Sequence, residues 1–329
     1  MKQGLIFASA RAKAKENNLF TEEKLHRMLE AKTLEDAVRV LAEANYGGGM
    51  AVGCDNFYEV LAEEEKLATA FLRESAPKDM GIECFFMRND YHNLKVLTKA
   101  KYGGLDEYES MLLPDGNVQF SDLKDKFENG KIRFFNVYMG EALTAIEKAF
   151  ETDALSPRKI DTEIDKAMFK EIENTLKGKD ADKYVKEYFV TLADTTNIGS
   201  MFRTITIGAD FKFFEDNFVC GGEIDVDSFR ACGIDMTKFL KFVNDSKYKK
   251  LFENVENGDL SSFETAKDEC LLKIFSANKG DMFSVAPVVG YYLGKLNEIK
   301  VIKVVLICIK NQVKYEEMKK RVRALYAKR

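Results

Sequence analysis

Apolar residues return at every third or fourth position over long spans of this chain, the spacing of one helix face, and in three places an acid sits inside that stripe. The stretches read FFMRNDYHNLKVL around Asp90, VTLADTTNIGSMF around Asp194 and GKLNEIKVIKVVL around Glu298, each acid 104 positions after the last. Phe86 and Leu94, Val190 and Ile198, and Gly294 and Ile302 stand four residues either side, so each carboxylate shares a face with its neighbours there, nearly all of them apolar. Asn93 and Asn197 come three residues after the aspartates, and Val301 holds that offset after Glu298. Burying an unpaired carboxylate is costly, so each acid needs a partner: N–H groups at a neighbouring helix start, or a lysine or arginine from another copy.

A second element repeats in the same order. Leu113-Pro114-Asp115-Gly116-Asn117-Val118 leads to Phe120 and Leu123, and Val219-Cys220-Gly221-Gly222-Glu223-Ile224 leads to Val226 and Phe229. A faint third trace is Asn311-Gln312-Val313, leading to Tyr315 and Met318. Two motifs in matching order mark an internal repeat, with copies at 1–114, 115–221 and 222–329. The acids Asp90, Asp194 and Glu298, with Asn93 and Asn197, either fix packing inside each copy or shape a surface that receives a partner; the pattern leaves both open. Either way it points to a scaffold rather than a catalyst.

The remaining pattern predicts helix nearly throughout, an all-α chain. Helices are expected over 4–17, from Thr21 as N-cap, and from Thr33-Leu34-Glu35-Asp36 as a capping box that stops at Tyr46-Gly47-Gly48-Gly49. Further spans are 57–73, 82–101, 139–152, 157–176, 181–207, 236–242, 260–276 and 285–309, before a basic final helix from Tyr315. Residues 113–123 and 219–232 read as loops entering short helices.

Composition narrows the class. With 46% hydrophobic and 32% charged residues among 329, the chain is core-forming, and only 4 prolines interrupt it. A net charge of -4 gives no global reason to bind nucleic acid. The closing residues are locally basic: Lys319, Lys320, Arg321 and Arg323 offer a surface for an acidic partner or anionic head groups, or simply the wet face of a terminal helix. The six cysteines form no C-x-x-C pair and read as reduced core residues, which implies a reducing compartment. Leu5 to Ala8 is too short for the apolar part of a signal peptide, and Val304 to Ile309 is far too short to span a bilayer.

Signatures of chemistry are missing. Gly47-Gly48-Gly49 runs into Met50 and Ala51, with no lysine or hydroxyl placed for phosphates. His26 and His92 have no second ligand at metal spacing, and His92 beside Asp90 reads as a local hydrogen-bonding residue. Asp180 and Asp182 flank a helix start and read as caps. The absence of Trp, with Phe at helical spacing, describes core rather than stacking platforms. No catalytic residue, cofactor or metal is expected.

Several segments together resemble one family. Ile6-Phe7-Ala8-Ser9-Ala10-Arg11-Ala12-Lys13, Leu41 through Tyr46-Gly47-Gly48, Asp90-Tyr91-His92-Asn93-Leu94-Lys95 with Lys101-Tyr102-Gly103-Gly104, Asp194-Thr195-Thr196-Asn197-Ile198, and the closing Lys319 to Tyr326 are similar in order and spacing to the C-type stalk component of V/A-type rotary ATPases, known as the d component in eukaryotes. The resemblance covers essentially the whole chain. It implies a funnel of three similar helical domains about a pseudo-threefold axis, without an active site, seated between the motor's soluble axle (components of D and F type) and the membrane ring of proteolipids. It implies a cytoplasmic location, peripheral to the membrane. Glu298 in place of Asp, Val301 in place of Asn, and Thr195-Thr196 against Tyr91-His92 depart from the motif, and no residue is assigned to either partner face. A soluble helical-repeat adaptor is the alternative from another class.

Overall fold

The structure is a computed structural model that describes residues 2–178, 180–253, 255 and 259–326. In chain order its helices are α1 (Lys2–Glu16), α2 (Glu22–Leu29), α3 (Leu34–Glu43), α4 (Phe57–Ser75), α5 (Cys84–Gly103), α6 (Phe120–Glu128), α7 (Ile132–Phe135), α8 (Val137–Glu151), α9 (Pro157–Leu176) and α10 (Lys183–Thr206). They continue as α11 (Phe211–Asn217), α12 (Val226–Cys232), α13 (Met236–Asn244), α14 (Leu260–Ala277), α15 (Ala286–Lys310) and α16 (Tyr315–Arg321). No strand occurs among the described residues, so the chain is all-α as its periodicity predicts.

Local chemistry sets many of the ends. Thr21 caps α2 by accepting the Lys24 N–H, and Thr33 caps α3 by accepting that of Asp36 at 3.1 Å. The box at Thr33 closes differently from the usual pattern: its hydroxyl donates to the Asp36 carboxylate at 2.8 Å. Ser156 and Asp182 cap α9 and α10, and Pro157 occupies the first turn of α9, where its missing N–H costs nothing. The short helices α7 and α11 escape prediction because four to seven residues carry too little periodicity.

The chain packs as two compact units. One is formed by residues 1–78 and 269–329, the other by 79–268, and the division falls inside α14. It groups residues by packing, whereas the 1–114, 115–221 and 222–329 boundaries rest on sequence register.

The first unit is built around α15. This helix buries residues on every side from Ala286 to Cys308, against α1, α2, α3, α4 and α16, and its exposed positions are Lys300, Lys303 and Lys310. Leu5, Ala8 and Ala12 of α1 and Val60, Phe71 and Leu72 of α4 complete that core, each large side chain contributing about 1.5–3 kcal/mol by leaving water. The closing segment also docks here. α16 is short; Met318 and Leu325 are buried, and Tyr326 lies along α15, where a Cβ on Gly294 would come within 2.6 Å of its ring.

The second unit layers α5, α8 and α9 and continues through α9 and α10 to α11 and α13. Phenylalanines cluster in its second half: Phe214 packs at a tilt against Phe229, ring centres 4.9 Å apart, and Phe202 meets Phe252 edge-on at 5.0 Å. Lys95–Asp165 at 2.6 Å and Lys99–Asp161 at 2.7 Å tie α5 to α9, half-exposed pairs worth at most about 1 kcal/mol each.

Candidate functional site: the buried acid clasps

Asp90, Asp194 and Glu298 lie mid-helix on α5, α10 and α15, and all are buried, with 4%, 0% and 2% of their surface exposed. Each carboxylate accepts backbone N–H groups from a segment that is about to begin a short helix. Asp90 takes the N–H of Asn117 at 3.0 Å and of Val118 at 3.1 Å, just before α6. Asp194 takes that of Ile224 at 3.0 Å, just before α12, and also accepts the Tyr248 hydroxyl at 2.6 Å. Glu298 takes the N–H of Phe20 at 2.6 Å, just before α2. Free N–H groups ahead of a helix are natural partners for a buried anion.

The third clasp therefore reaches back to the start of the chain. The trace at Asn311-Gln312-Val313 does not serve it: Asn311 ends α15, and the Val313 N–H is spent on the Cys308 carbonyl at 2.9 Å. Counting from the clasped N–H groups, Phe20 corresponds to Val118 and Ile224, and buried Leu25, Leu123 and Phe229 follow five residues later in each.

The aspartates need glycine and the glutamate does not. A Cβ at Gly116 would collide with Asp90 Oδ1, and one at Gly222 with Asp194 Oδ1, so only a bare backbone lets these short side chains reach the following N–H groups. The position two before Phe20 is Asn18, and there the acid is one methylene longer.

Asn93 and Asn197 are second clasps. Asn93 donates to the Leu113 carbonyl and accepts the Leu113 N–H, both at 2.9 Å, and Asn197 holds Val219 in the same two bonds at the same distances. Val301 stands where no such clamp is required. Five residues before Phe20, as Leu113 is before Val118, comes Lys15, inside α1, where its carbonyl already accepts the Asn18 N–H. The segment there satisfies itself, and an apolar residue fits the core.

Around Glu298 the first unit buries a set of charges that sequence reasoning missed. Lys295, with 4% of its surface exposed, lies 2.8 Å from Glu298 and 3.3 Å from Glu64 of α4, with its ammonium 4.4 Å from the centre of the Tyr46 ring. Tyr46 donates its hydroxyl to Glu298, and Gly47 donates its N–H to Glu64 at 3.0 Å. Burial, then the Glu298 charge, pushes the Tyr46 phenol well above its ordinary range, so it stays a donor. Lys295 lies three residues before Glu298 on one helical face, a legible signal; Glu64, inside a Glu63-Glu64-Glu65 run that reads as solvated, carries none.

The other candidates are local. His92 bonds the Met111 carbonyl through Nε2 at 2.8 Å, and Asp182 serves as a helix cap. Lys319 and Arg321 are exposed on α16, Arg323 is half-buried in the extended segment after it, and the Lys320 side chain lies outside the described residues. The repeat carboxylates accept hydrogen bonds from the chain's own donors. Among the described residues no group of three or more His, Cys, Asp or Glu is arranged to hold a metal, and no helix is long and apolar enough to cross a membrane.

Comparison with known proteins gives a consistent picture. A model of the ATP synthase (C/AC39) subunit matches residues 8–321. The C-type component of the V-type sodium ATPase of Enterococcus hirae is 24% identical over 320 residues, covering 95% of this chain and 96% of its own length. The corresponding component of the A-type ATP synthase of Methanocaldococcus jannaschii is 24% identical over 353 residues, covering 95% and 84%, and that of Haloferax volcanii is 24% identical, covering 91% of each.

Proposed function

The chain belongs to the ATP synthase (C/AC39) subunit family, and on that premise we propose that it is a non-catalytic rotor subunit, coupling the soluble axle of a V/A-type ATPase to the membrane proteolipid ring. The match over residues 8–321 carries the reading. A part that transmits torque must be stiff and present two partner faces, and long helices packed at interior density provide stiffness. The clasps add to it, since each pins a loop to the middle of a long helix through buried hydrogen bonds. Nucleotide chemistry and ion transfer belong to other subunits, and the chain sits at the membrane as a peripheral part of the complex.

The reading extends to three copies about a pseudo-threefold axis. Three acids in equal register, each holding the segment that opens a short helix, support it. Lys319, Lys320, Arg321 and Arg323 are proposed as a partner contact.

Isolation of the tagged chain from detergent-solubilised membranes tests the proposal. Co-purification with nucleotide-binding and proteolipid subunits is expected; recovery only in soluble complexes would overturn it. The purified chain is expected to hydrolyse no nucleotide, and turnover abolished by Asp90→Asn would refute the non-catalytic role. Exchanging Lys319 and Arg321 for glutamate should weaken association with the complex while leaving the melting temperature unchanged.

A further inference from the structure

The short helix α7 carries the most exposed large apolar side chain among the described residues, Phe134, at 86%. Phe135 at 38% and Val137 at 57% stand beside it. An isolated surface phenylalanine is unremarkable, but three apolar exposures clustered on one turn form a patch.

The turn is rigidly built. Ile132 is buried beneath it, and Asn136 caps α8 by accepting the N–H groups of Tyr138 and Met139, while its own amide donates to Glu171 at 2.9 Å. α7 lies so close to α8 that a Cβ on Gly140 would come within 2.6 Å of the Arg133 backbone. A turn whose backbone is fixed this firmly needs little ordering on binding.

The turn's own charged side chains have one sign, and the acid nearest in space, Glu171, is engaged by the Asn136 amide at 2.9 Å and the Tyr91 hydroxyl at 2.5 Å. Residues 129–140 contain Lys131 and Arg133 and no acid, and the Lys126 ammonium lies 4.6 Å from the centre of the Phe135 ring. The acids that flank this stretch are compensated: Glu128 faces Lys124 at 3.9 Å, and Glu141 faces Lys170 at 2.7 Å. An aromatic anchor with arginine beside it is the composition of a protein interface centre. A bilayer surface is the poorer match: of Lys124, Lys126, Lys131 and Arg133, Lys124 faces Glu128, which leaves fewer than the about four to eight basic residues that anionic lipid recognition draws on.

We propose that the Phe134 turn is a docking knob for a protein partner that presents an apolar pocket rimmed by carboxylates. In the rotary ATPase reading, on which the choice of preparation rests, that partner is another subunit of the complex.

A photo-crosslinking amino acid at position 134, irradiated in the complex extracted from native membranes, tests this. The expected product joins the chain to one protein, at a segment containing aspartate or glutamate next to apolar residues. Phe134→Ser and Arg133→Glu are each expected to weaken retention by about tenfold or more, with thermal unfolding unchanged because both residues are exposed. Arg133→Lys should retain most of the binding. Cross-linking only into lipid, or wild-type retention in both variants, would overturn the proposal. If the wild-type chain fails to co-purify with ATPase subunits yet cross-links at 134 to an acid-rimmed pocket in another protein, the rotor reading falls and the knob stands.

Discussion

Lys295 places an ammonium inside a helix that is closed to water nearly all round, and two carboxylates, an aromatic ring and a tyrosine hydroxyl make up its environment. Such a cluster is weak evidence of net stabilisation, because the cost of burying the charges offsets much of their attraction. Removing one member is different, since it strands the others. Lys295→Met should cost about 3–5 kcal/mol, leaving Glu64 and Glu298 facing each other without their cation. Tyr46→Phe, which deletes only the hydroxyl, should cost about 1–3 kcal/mol. Urea unfolding curves measure both, and equal losses would contradict this division of roles. Asn197→Val should likewise cost about 1–3 kcal/mol, because the Val219 N–H and carbonyl lose their partners in a buried setting.

At the scale of elements, the joint between α15 and the start of α2 differs from the others in being made across the two ends of the chain. Glu298→Gln keeps the shape and removes the charge, and should raise amide exchange at Phe20 and through α1 while α5 and α10 keep their protection. Exchange followed by mass spectrometry decides this; equal increases in both units would refute it. Helix starts at Thr21 and Thr33 were legible because a capping side chain acts within three residues. The burial of the three acids was legible too, from the apolar stripe around each. Which helix start each acid holds was not, because Phe20 lies 278 residues from Glu298 and the match depends on which loop arrives in space. The faint third trace of the second element, 311–313, is used by α15 for its own ending.

For the whole molecule, buried phenols set an alkaline limit. Burial raises Tyr46, Tyr91, Tyr248 and Tyr291, helped by Glu298, Glu171, Asp194 and Glu64 respectively. In the unfolded chain a phenol releases its proton near pH 10, while the fold retains it above that point. The folded state then binds more protons, so stability is fully present below about pH 10 and falls as pH rises from there. Cys220, pushed up from 9.0 to about 11 by burial and by Glu173, adds a loss that begins lower. Melting temperatures across an alkaline series should hold level and then decline, and a curve that stays flat above pH 11 would contradict the assignment.

The clasp between Phe20 and Glu298 also orders events during synthesis. The second unit is complete once residue 268 has left the ribosome, but the first unit cannot close until α15 emerges after it. Until then α1 to α4 wait without the helix they pack against. A chain cut short before Ala286 keeps its opening segment unmatched, with Leu5, Phe20 and Phe71 deprived of their cover. Such a product would expose apolar surface that the complete first unit buries under α15.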